Sequence, residues 1–297
     1  MARLNININI IGCGKVGKTL GSLLIREKLV NICGIVNSNI ENARKVVEYF
    51  GEGKAYSSIL ELPAANLYFI LTRDDLIECI ANKLAANPFL SPRSIIVHCS
   101  GSLSSDVLNI LKRKDCFVAS IHPIKSFADP EQSIATFAGT FCAMEGDKEI
   151  LEFLSNFFQK IGSRTFFIDK EYKKIYHLAG VLCSNFLITL HAHALELYKQ
   201  SGIAEETAKE LISNLMYNSL INLENLSHKD ALTGPIQRGD VKTVNDHVVA
   251  LNDFSFNLET KNIYLSLGLG TLFLTNHAED KKNEFRKILS ENSDMSR

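Results

Sequence analysis

At 297 residues the chain is long enough for about two domains, and its 46% apolar and 22% charged residues exclude a disordered or fibrous protein. A formal charge of −1 supplies no field to hold nucleic acid or an anionic membrane. Seven scattered cysteines without a C-x-x-C pair argue against a disulfide frame or a metal site and point to a reducing compartment.

Met1-Ala2-Arg3-Leu4 runs straight into an apolar strand, leaving no room for a signal peptide. The longest apolar runs are broken by polar residues short of a membrane span. A cytoplasmic protein with no nucleic-acid or membrane partner is therefore expected.

The first strand ends at Ile11 and leads into Gly12-Cys13-Gly14-Lys15-Val16-Gly17, with a helix expected over Lys15 to Glu27. This is the G-x-G-x-x-G dinucleotide fingerprint in its required setting, between a strand and a helix. Gly12 serves the tight turn, Gly14 the approach of a pyrophosphate and Gly17 the packing of helix on strand. The helix start offers free N–H groups to the phosphates. Asn5, Asn7 and Asn9 alternate with isoleucine, which does not suit a central parallel strand apolar on both faces, so the strand is expected to start late, near Ile8.

Alternating strands and helices follow. Strands are expected at Ile32 to Val36, Leu67 to Thr72, Ser94 to His98, Phe117 to Ile121, Thr140 to Met144 and Arg164 to Ile168. Helices are expected over Ile40 to Phe50, Asp74 to Ala86, Ser104 to Leu111 and Lys148 to Ile161. This is the grammar of βαβ units and a doubly wound, mostly parallel sheet, placed at residues 1–168. From 169 to 297 the pattern is helical only. Glu171 to Gln200 reads as one long helix, since Ile175, Leu178, Leu182, Phe186, Leu190 and Leu197 keep helical spacing. Thirty residues span about 45 Å, too long to stand uncovered in a small domain, so other helices or a second subunit must cover it, and a homodimer through the helical domain is expected. Further helices are expected at Glu205 to Asn225, Thr243 to Leu251, Ser255 to His277 and Lys281 to Ser290.

The cofactor choice is read at the end of the second strand, about 20 residues past the fingerprint, where an acid normally binds the ribose 2′-hydroxyl. Asn37-Ser38 stand there instead, with Arg44 and Lys45 one turn into the helix. Neutral donors and nearby cations favour NADP (NADPH) over NAD. The plainer reading is that these residues cap the next helix.

Ligands bind where parallel strands end. Thr72, then Ser100 and Gly101, and then His122 follow three strand ends, which makes the first three candidates for cofactor contact and His122 for proton exchange. In the helical half His177, Ser184 and Asn185 share a helix face over two turns. Thr233-Gly234-Pro235-Ile236-Gln237-Arg238-Gly239-Asp240 is dense in donors and charge for an inter-helix turn. Arg238 would hold a carboxylate and Thr233 a carbonyl or hydroxyl oxygen, although Asp240 capping the next helix explains part of the stretch.

The motifs G-C-G-K-V-G, V-H-C-S-G-S-L-S-S-D-V-L, H-P-I-K-S-F, Y-H-L-A-G-V-L-C-S-N and A-L-T-G-P-I-Q-R-G-D together resemble bacterial Rossmann-like proteins with a C-terminal helical domain of unknown function. That family is similar in architecture to pyrroline-5-carboxylate reductase, ketopantoate reductase, prephenate dehydrogenase and the 6-phosphogluconate dehydrogenase group. The resemblance implies an α/β Rossmann domain, an all-α dimerisation domain and NADP binding. Ser100 or Ser102 with His122-Pro123 resembles the serine and H-P histidine of prephenate dehydrogenases. Asn185 resembles the helix asparagine of the ketopantoate-type reductases, but Val181 stands where those carry a lysine, leaving His177 as a substitute proton donor.

The expected function is an NADP-dependent oxidoreductase moving hydride to or from a small carboxylate-bearing substrate at a C=O or C=N bond. His122 or His177 would exchange the proton, with Asn185 orienting the reacting group and Ser184, Thr233, Gly234, Pro235, Arg238 and Asp240 holding the substrate. The alternatives are an NADP-binding sensor or scaffold without turnover, and a deazaflavin-linked reductase.

Overall fold

The computed structural model describes residues 6–253 and 257–290. It divides into two compact units, Met1–Asn185 and Phe186–Arg297.

The strands of the first unit are β1 (Ile6–Ile11), β2 (Val30–Val36), β3 (Lys54–Tyr56), β4 (Leu67–Ile70), β5 (Ile95–His98), β6 (Phe117–Pro123), β7 (Phe141–Gly146) and β8 (Arg164–Phe167). They form one sheet in the order β3-β2-β1-β4-β5-β6-β7-β8. Neighbours are parallel except β6 and β7, which run antiparallel with Ser120 opposite Glu145 and His122 opposite Ala143. The first four helices are α1 (Lys15–Arg26), α2 (Ile40–Phe50), α3 (Asp74–Ala85) and α4 (Asn109–Lys112). They are followed by α5 (Pro130–Ala135), α6 (Lys148–Gln159) and α7 (Lys173–Cys183).

β4 shows why the sheet is covered twice. Leu67 and Phe69 join a core with Leu20, Leu23, Val46 and Phe158, while Tyr68 and Ile70 join a second core with Ile77, Leu84 and Leu111. Successive side chains point to opposite faces, and both faces are apolar, as a central parallel strand requires.

The asparagines of β1 have a physical account. The strand starts at Ile6, not Ile8, and its register with β2 shifts between Ile8 and Asn9. Asn9 is fully buried, and its Nδ2 donates to the Pro63 carbonyl at 2.7 Å. Asn7 is exposed and accepts from Asn31 Nδ2 at 3.3 Å. Asn5 lies outside the described residues.

Several local expectations change. The three-residue edge strand β3 is too short to leave a periodic signal. Helix α5 carried a readable one: Asp129 caps it through Gln132 N, and Pro130 occupies the first helical position. Ser104 to Leu111 is a 3₁₀ turn, Ser105–Leu108, followed by the short α4. The long helix divides at Ser184, whose backbone at φ −118°, ψ −66° is distorted within the α region while its N–H still bonds the Gly180 carbonyl at 3.0 Å. Lys170–Gln200 nevertheless has the length and composition to cross a membrane, which corrects the expectation that no stretch reaches span length.

The second unit contains helices α8 (Asn185–Gln200, beginning one residue earlier), α9 (Glu205–Asn225), α10 (His228–Ala231) and α11 (Pro235–Arg238). It continues with α12 (Val241–Asp253), α13 (Leu258–Thr271) and α14 (Glu279–Ser290). Its core joins Val244, Val248, Leu265, Leu272, Phe285 and Leu289. The expected helix start at Ser255 lies outside the described residues.

Candidate active site

β1, β4, β5 and β6 are parallel, so Gly12, Thr72, Ser100 and His122 all fall at the carboxyl edge of the sheet. The fingerprint has the shape of a phosphate cradle. Gly12 sits at φ +78°, and a Cβ there would strike Thr72 Cγ2 and reach within 3.0 Å of the Thr72 amide nitrogen. A Cβ on Gly14 would meet nothing within 4 Å, because the residue opens onto the crevice. Gly14 is the N-cap of α1 and offers no capping side chain, so the first N–H groups of the helix, from Lys15 to Gly17, are left for a ligand. Gly17 packs on Cys13 Sγ. Burial raises the Cys13 thiol to about 12, so Cys13 is a packing group here and not a nucleophile.

A crevice of about 820 Å³ runs from this turn past Asn37, Ser38, Ser58, Thr72 and Arg73, and no carboxylate lines it among the described residues. Thr72 Oγ1 is buried without a partner, an orphan that a bound ligand would satisfy. These features fit a dinucleotide. Asn37 Oδ1 accepts from Ser38 N at 2.8 Å, and Ser38 Oγ accepts from Asn42 Nδ2 at 2.9 Å. Asn39 supplies the helix cap. Arg44 pairs with Glu41 at 2.6 Å, and neither it nor Lys45 lines the crevice, so the basic groups there are Arg73 and Lys83 instead. Their position after the third βα turn gave no fingerprint to find them by.

Ser100 does a different job from the expected cofactor contact. Its hydroxyl donates to Asp74 Oδ2 at 2.7 Å and accepts from the N–H groups of Ser102 and Leu103 at 3.1 and 2.9 Å. It frames the loop after β5. Gly101, next in that loop, lets two imidazoles close on the backbone: a Cβ there would lie 2.8 Å from His122 Nε2 and 2.5 Å from His177 Cδ2.

The histidines considered as alternatives belong to one cluster. Their ring centroids are 6.0 Å apart, and Tyr176 completes the group, its hydroxyl 2.7 Å from His122 Nδ1. With Nδ1–H donating to the Tyr176 hydroxyl, a neutral His122 leaves the lone pair of Nε2, the nitrogen beside Gly101, free to accept a proton. Beneath them Lys173 Nζ is hydrogen-bonded to Ser120 Oγ and lies 3.2 Å from Glu145 Oε1. Sequence reasoning missed Tyr176, Lys173, Glu145 and Ser120. The signal available was helical spacing, since Lys173, Tyr176 and His177 stand at i, i+3 and i+4.

Burial, then His177 and Lys173, push His122 down to about 4 from 6.5, and burial with Lys173 pushes His98 to about 3. Both rings are neutral in the folded protein at pH values where the unfolded chain already binds protons. Folding stability is therefore expected to fall as pH drops below about 6.5, by about 3 kcal/mol for His122 once pH 4 is passed. Melting temperatures from pH 7 to pH 4 test this, and His122→Gln is expected to flatten the fall.

Residues 140–271 match the family described as Domain of unknown function (DUF2520). The fold is Rossmann-like, and the segment 140–271 is what resembles that family. A Bacteroides fragilis protein described as a candidate NADP oxidoreductase has a TM-score of 0.75 and 22% identity over 91% of this chain and 98% of its own. Protein TM1727 from Thermotoga maritima has a TM-score of 0.66 and 28% identity over 94% and 99%. Pyrroline carboxylate reductase from Plasmodium falciparum, solved with NADP bound, has a TM-score of 0.58 and 12% identity over 97% and 100%. No curated protein matches by sequence.

The matched segment holds Glu145, Lys173, Tyr176 and His177, while the fingerprint and His122 precede it. His177 on α7 and Asn185 at the start of α8 flank Ser184, where the two helices meet. Thr233, Gly234, Pro235, Arg238 and Asp240 belong to the second unit. Asp240 caps α12, accepting from Thr243 N at 3.0 Å and Thr243 Oγ1 at 2.7 Å. Those hydrogen bonds hold its carboxyl below the usual range, with the Arg238 charge a lesser cause. Gly234 at φ +95° and Pro235 at the first position of α11 shape the turn, and Thr233 and Arg238 are exposed.

Proposed function

We propose an NADP-dependent oxidoreductase that reduces, or in reverse forms, a C=O or C=N bond on a small carboxylate-bearing substrate. The observation that carries this reading is the shared strand edge: a phosphate cradle after β1 and the histidine–tyrosine cluster at the end of β6 stand at the same end of the parallel part of the sheet. The N–H groups at the start of α1 would hold the pyrophosphate, Thr72 Oγ1 would gain its missing partner, and Asn37, Ser38 and Arg73 would face the far ribose. The bound nicotinamide supplies or receives the hydride. His122, uncharged near neutrality, takes the proton from the substrate oxygen or nitrogen in the oxidative direction and returns it in the reductive one, while Tyr176 fixes the ring. His177 lines the same cluster, and Asn185 is proposed to orient the reacting group.

The test is a fluorescence titration with NADPH and NADH, followed by a turnover screen on 2-oxo acids and cyclic and acyclic imines. Tighter NADPH binding and turnover confined to carboxylate-bearing compounds are expected. Tight binding without turnover on any compound would favour the sensor reading. Within an active pair, Arg238→Ala is expected to raise KM about tenfold while kcat stays within about twofold.

We also propose a homodimer. Helix α9 buries only Ala208 and Ile212, leaving Leu215, Tyr217, Leu220 and Leu223 exposed, and α7 exposes Ile175, Leu178 and Leu182. Apolar surface of this extent needs a cover. Sedimentation is expected to give twice the chain mass, and Leu215→Glu with Leu220→Glu to give a monomer.

A further inference from the structure

Helix α7 has one fully buried residue, and it is charged: Lys173, at 1% exposure. Its neighbours Ile175, Leu178 and Leu182 face outward. What docks this helix on the sheet is therefore an ammonium group and not an apolar stripe. The socket is built from three other elements. Ser120 on β6 accepts a hydrogen bond from Lys173 Nζ, and Glu145 on β7 lies 3.2 Å away and is itself buried. Glu145 also accepts from Ser105 N at 2.8 Å and Ser105 Oγ at 2.7 Å, so its lone pairs are filled from the turn before α4.

A buried ion pair of this kind roughly breaks even in stability against apolar packing, because desolvating two charges offsets their attraction. Its distinguishing property is direction. An apolar side chain tolerates sliding and rotation, whereas an ammonium shared between two fixed oxygens sets the rotation of the helix about its axis. Tyr176 and His177 stand three and four residues further along, on the same face.

We propose that Lys173 is a positioning residue: gripped by Glu145 and Ser120, it sets the face of α7 so that Tyr176 and His177 both meet His122. The proposal rests on the reading of His122 as the group that exchanges the substrate proton. The groups facing His122 are Tyr176, His177 and Lys173 on α7 and Asp74 at the start of α3, with His98 on β5 and Glu145 on β7 around the Lys173 charge. Removing the ammonium takes a positive charge from beside the ring and loosens its contact with Tyr176.

The experiment is a ¹⁵N NMR titration of the histidine rings in the full-length chain, comparing wild type with Lys173→Met/Glu145→Gln, which removes both charges and keeps the volumes. The His122 midpoint is expected to rise by at least about half a unit, and its Nδ1 shift to report a weakened Tyr176 hydrogen bond. NADPH affinity is expected to stay within twofold. A folded double variant with an unchanged His122 midpoint and Nδ1 shift would overturn the proposal. So would one that loses NADPH affinity as well, since Lys173 would then be a general support. If the double variant does not fold, Ser120→Ala loosens the grip alone, and an unchanged Nδ1 shift there overturns the proposal equally. Failure of the oxidoreductase reading would show separately, as wild-type protein that binds no NADPH, and leaves the histidine comparison intact.

Discussion

Gly14→Asp is expected to raise the Kd for NADPH at least about a hundredfold while the melting temperature stays within about 2 °C. The two readouts separate because of where a side chain at this position would go. Nothing lies within 4 Å of an added Cβ, so the substitution meets no protein atom. Gly14 lacks positive φ, so an L residue brings no backbone strain either. The new carboxylate would stand where the pyrophosphate approaches and would take the N–H groups of α1 for itself, as an N-cap aspartate does. Losing one phosphate's contacts and adding a like charge costs about 3 kcal/mol, which is the hundredfold. Gly12→Asp is the contrasting control. At φ +78° with Thr72 in the way it is expected to lower both binding and melting temperature. A Gly14→Asp protein that bound NADPH as wild type would remove the fingerprint from the site.

Glu145→Leu is expected to destabilise the first unit by about 3–5 kcal/mol, because it leaves the Lys173 ammonium buried with only Ser120 as partner. Adding Lys173→Met should recover the part of that loss due to the unpaired ammonium, while the Ser105 N–H and hydroxyl that Glu145 accepts stay without a partner. The pH dependence gives an independent sign. Burial lowers the Lys173 pKa, and Glu145 opposes that shift, so without Glu145 the depression deepens. The native variant then binds fewer protons than its unfolded chain, and its stability rises with pH. The deficit of Glu145→Leu should be smaller at pH 9 than at pH 6, measured by urea unfolding of the full chain. A deficit that did not change with pH would mean the lysine stays charged or escapes to solvent.

The parts of the fold legible in the sequence were those with a repeating physical signal. The strand expected over Leu67 to Thr72 and the helices expected over Lys15 to Glu27 and Lys148 to Ile161 are present within two residues, and the Gly12 turn announced itself through residues that only a close approach requires. The expected Rossmann sheet is present. Features fixed by one-off contacts were not legible. Nothing in a string shows that Asn9 donates to Pro63 across 54 positions, or that the helix is distorted at Ser184 between two apolar segments that keep their spacing. The candidate site divides the same way. His122 was found because it follows a strand end. Lys173 was passed over because a lysine among Glu171, Tyr172 and Lys174 looks like a solvated helix start, and only the folded chain shows it at 1% exposure. The cations of the crevice were sought at Arg44 and Lys45 by sequence distance, whereas the strand order brings Arg73 there.

The antiparallel pairing of β6 with β7 has a consequence for recombination. The segment matching DUF2520 begins at residue 140, one position before β7, so the pairing joins chain inside that segment to chain outside it. Across the join Ser120 faces Glu145, and the small Ala143 faces His122. A chimera of two proteins with this fold spliced at this point, within the sheet, therefore inherits half of each pair from each parent. Mismatched parents would assemble the sheet yet strand a buried charge or crowd the imidazole. A splice at the start of the matched segment is one where the two halves must be chosen together.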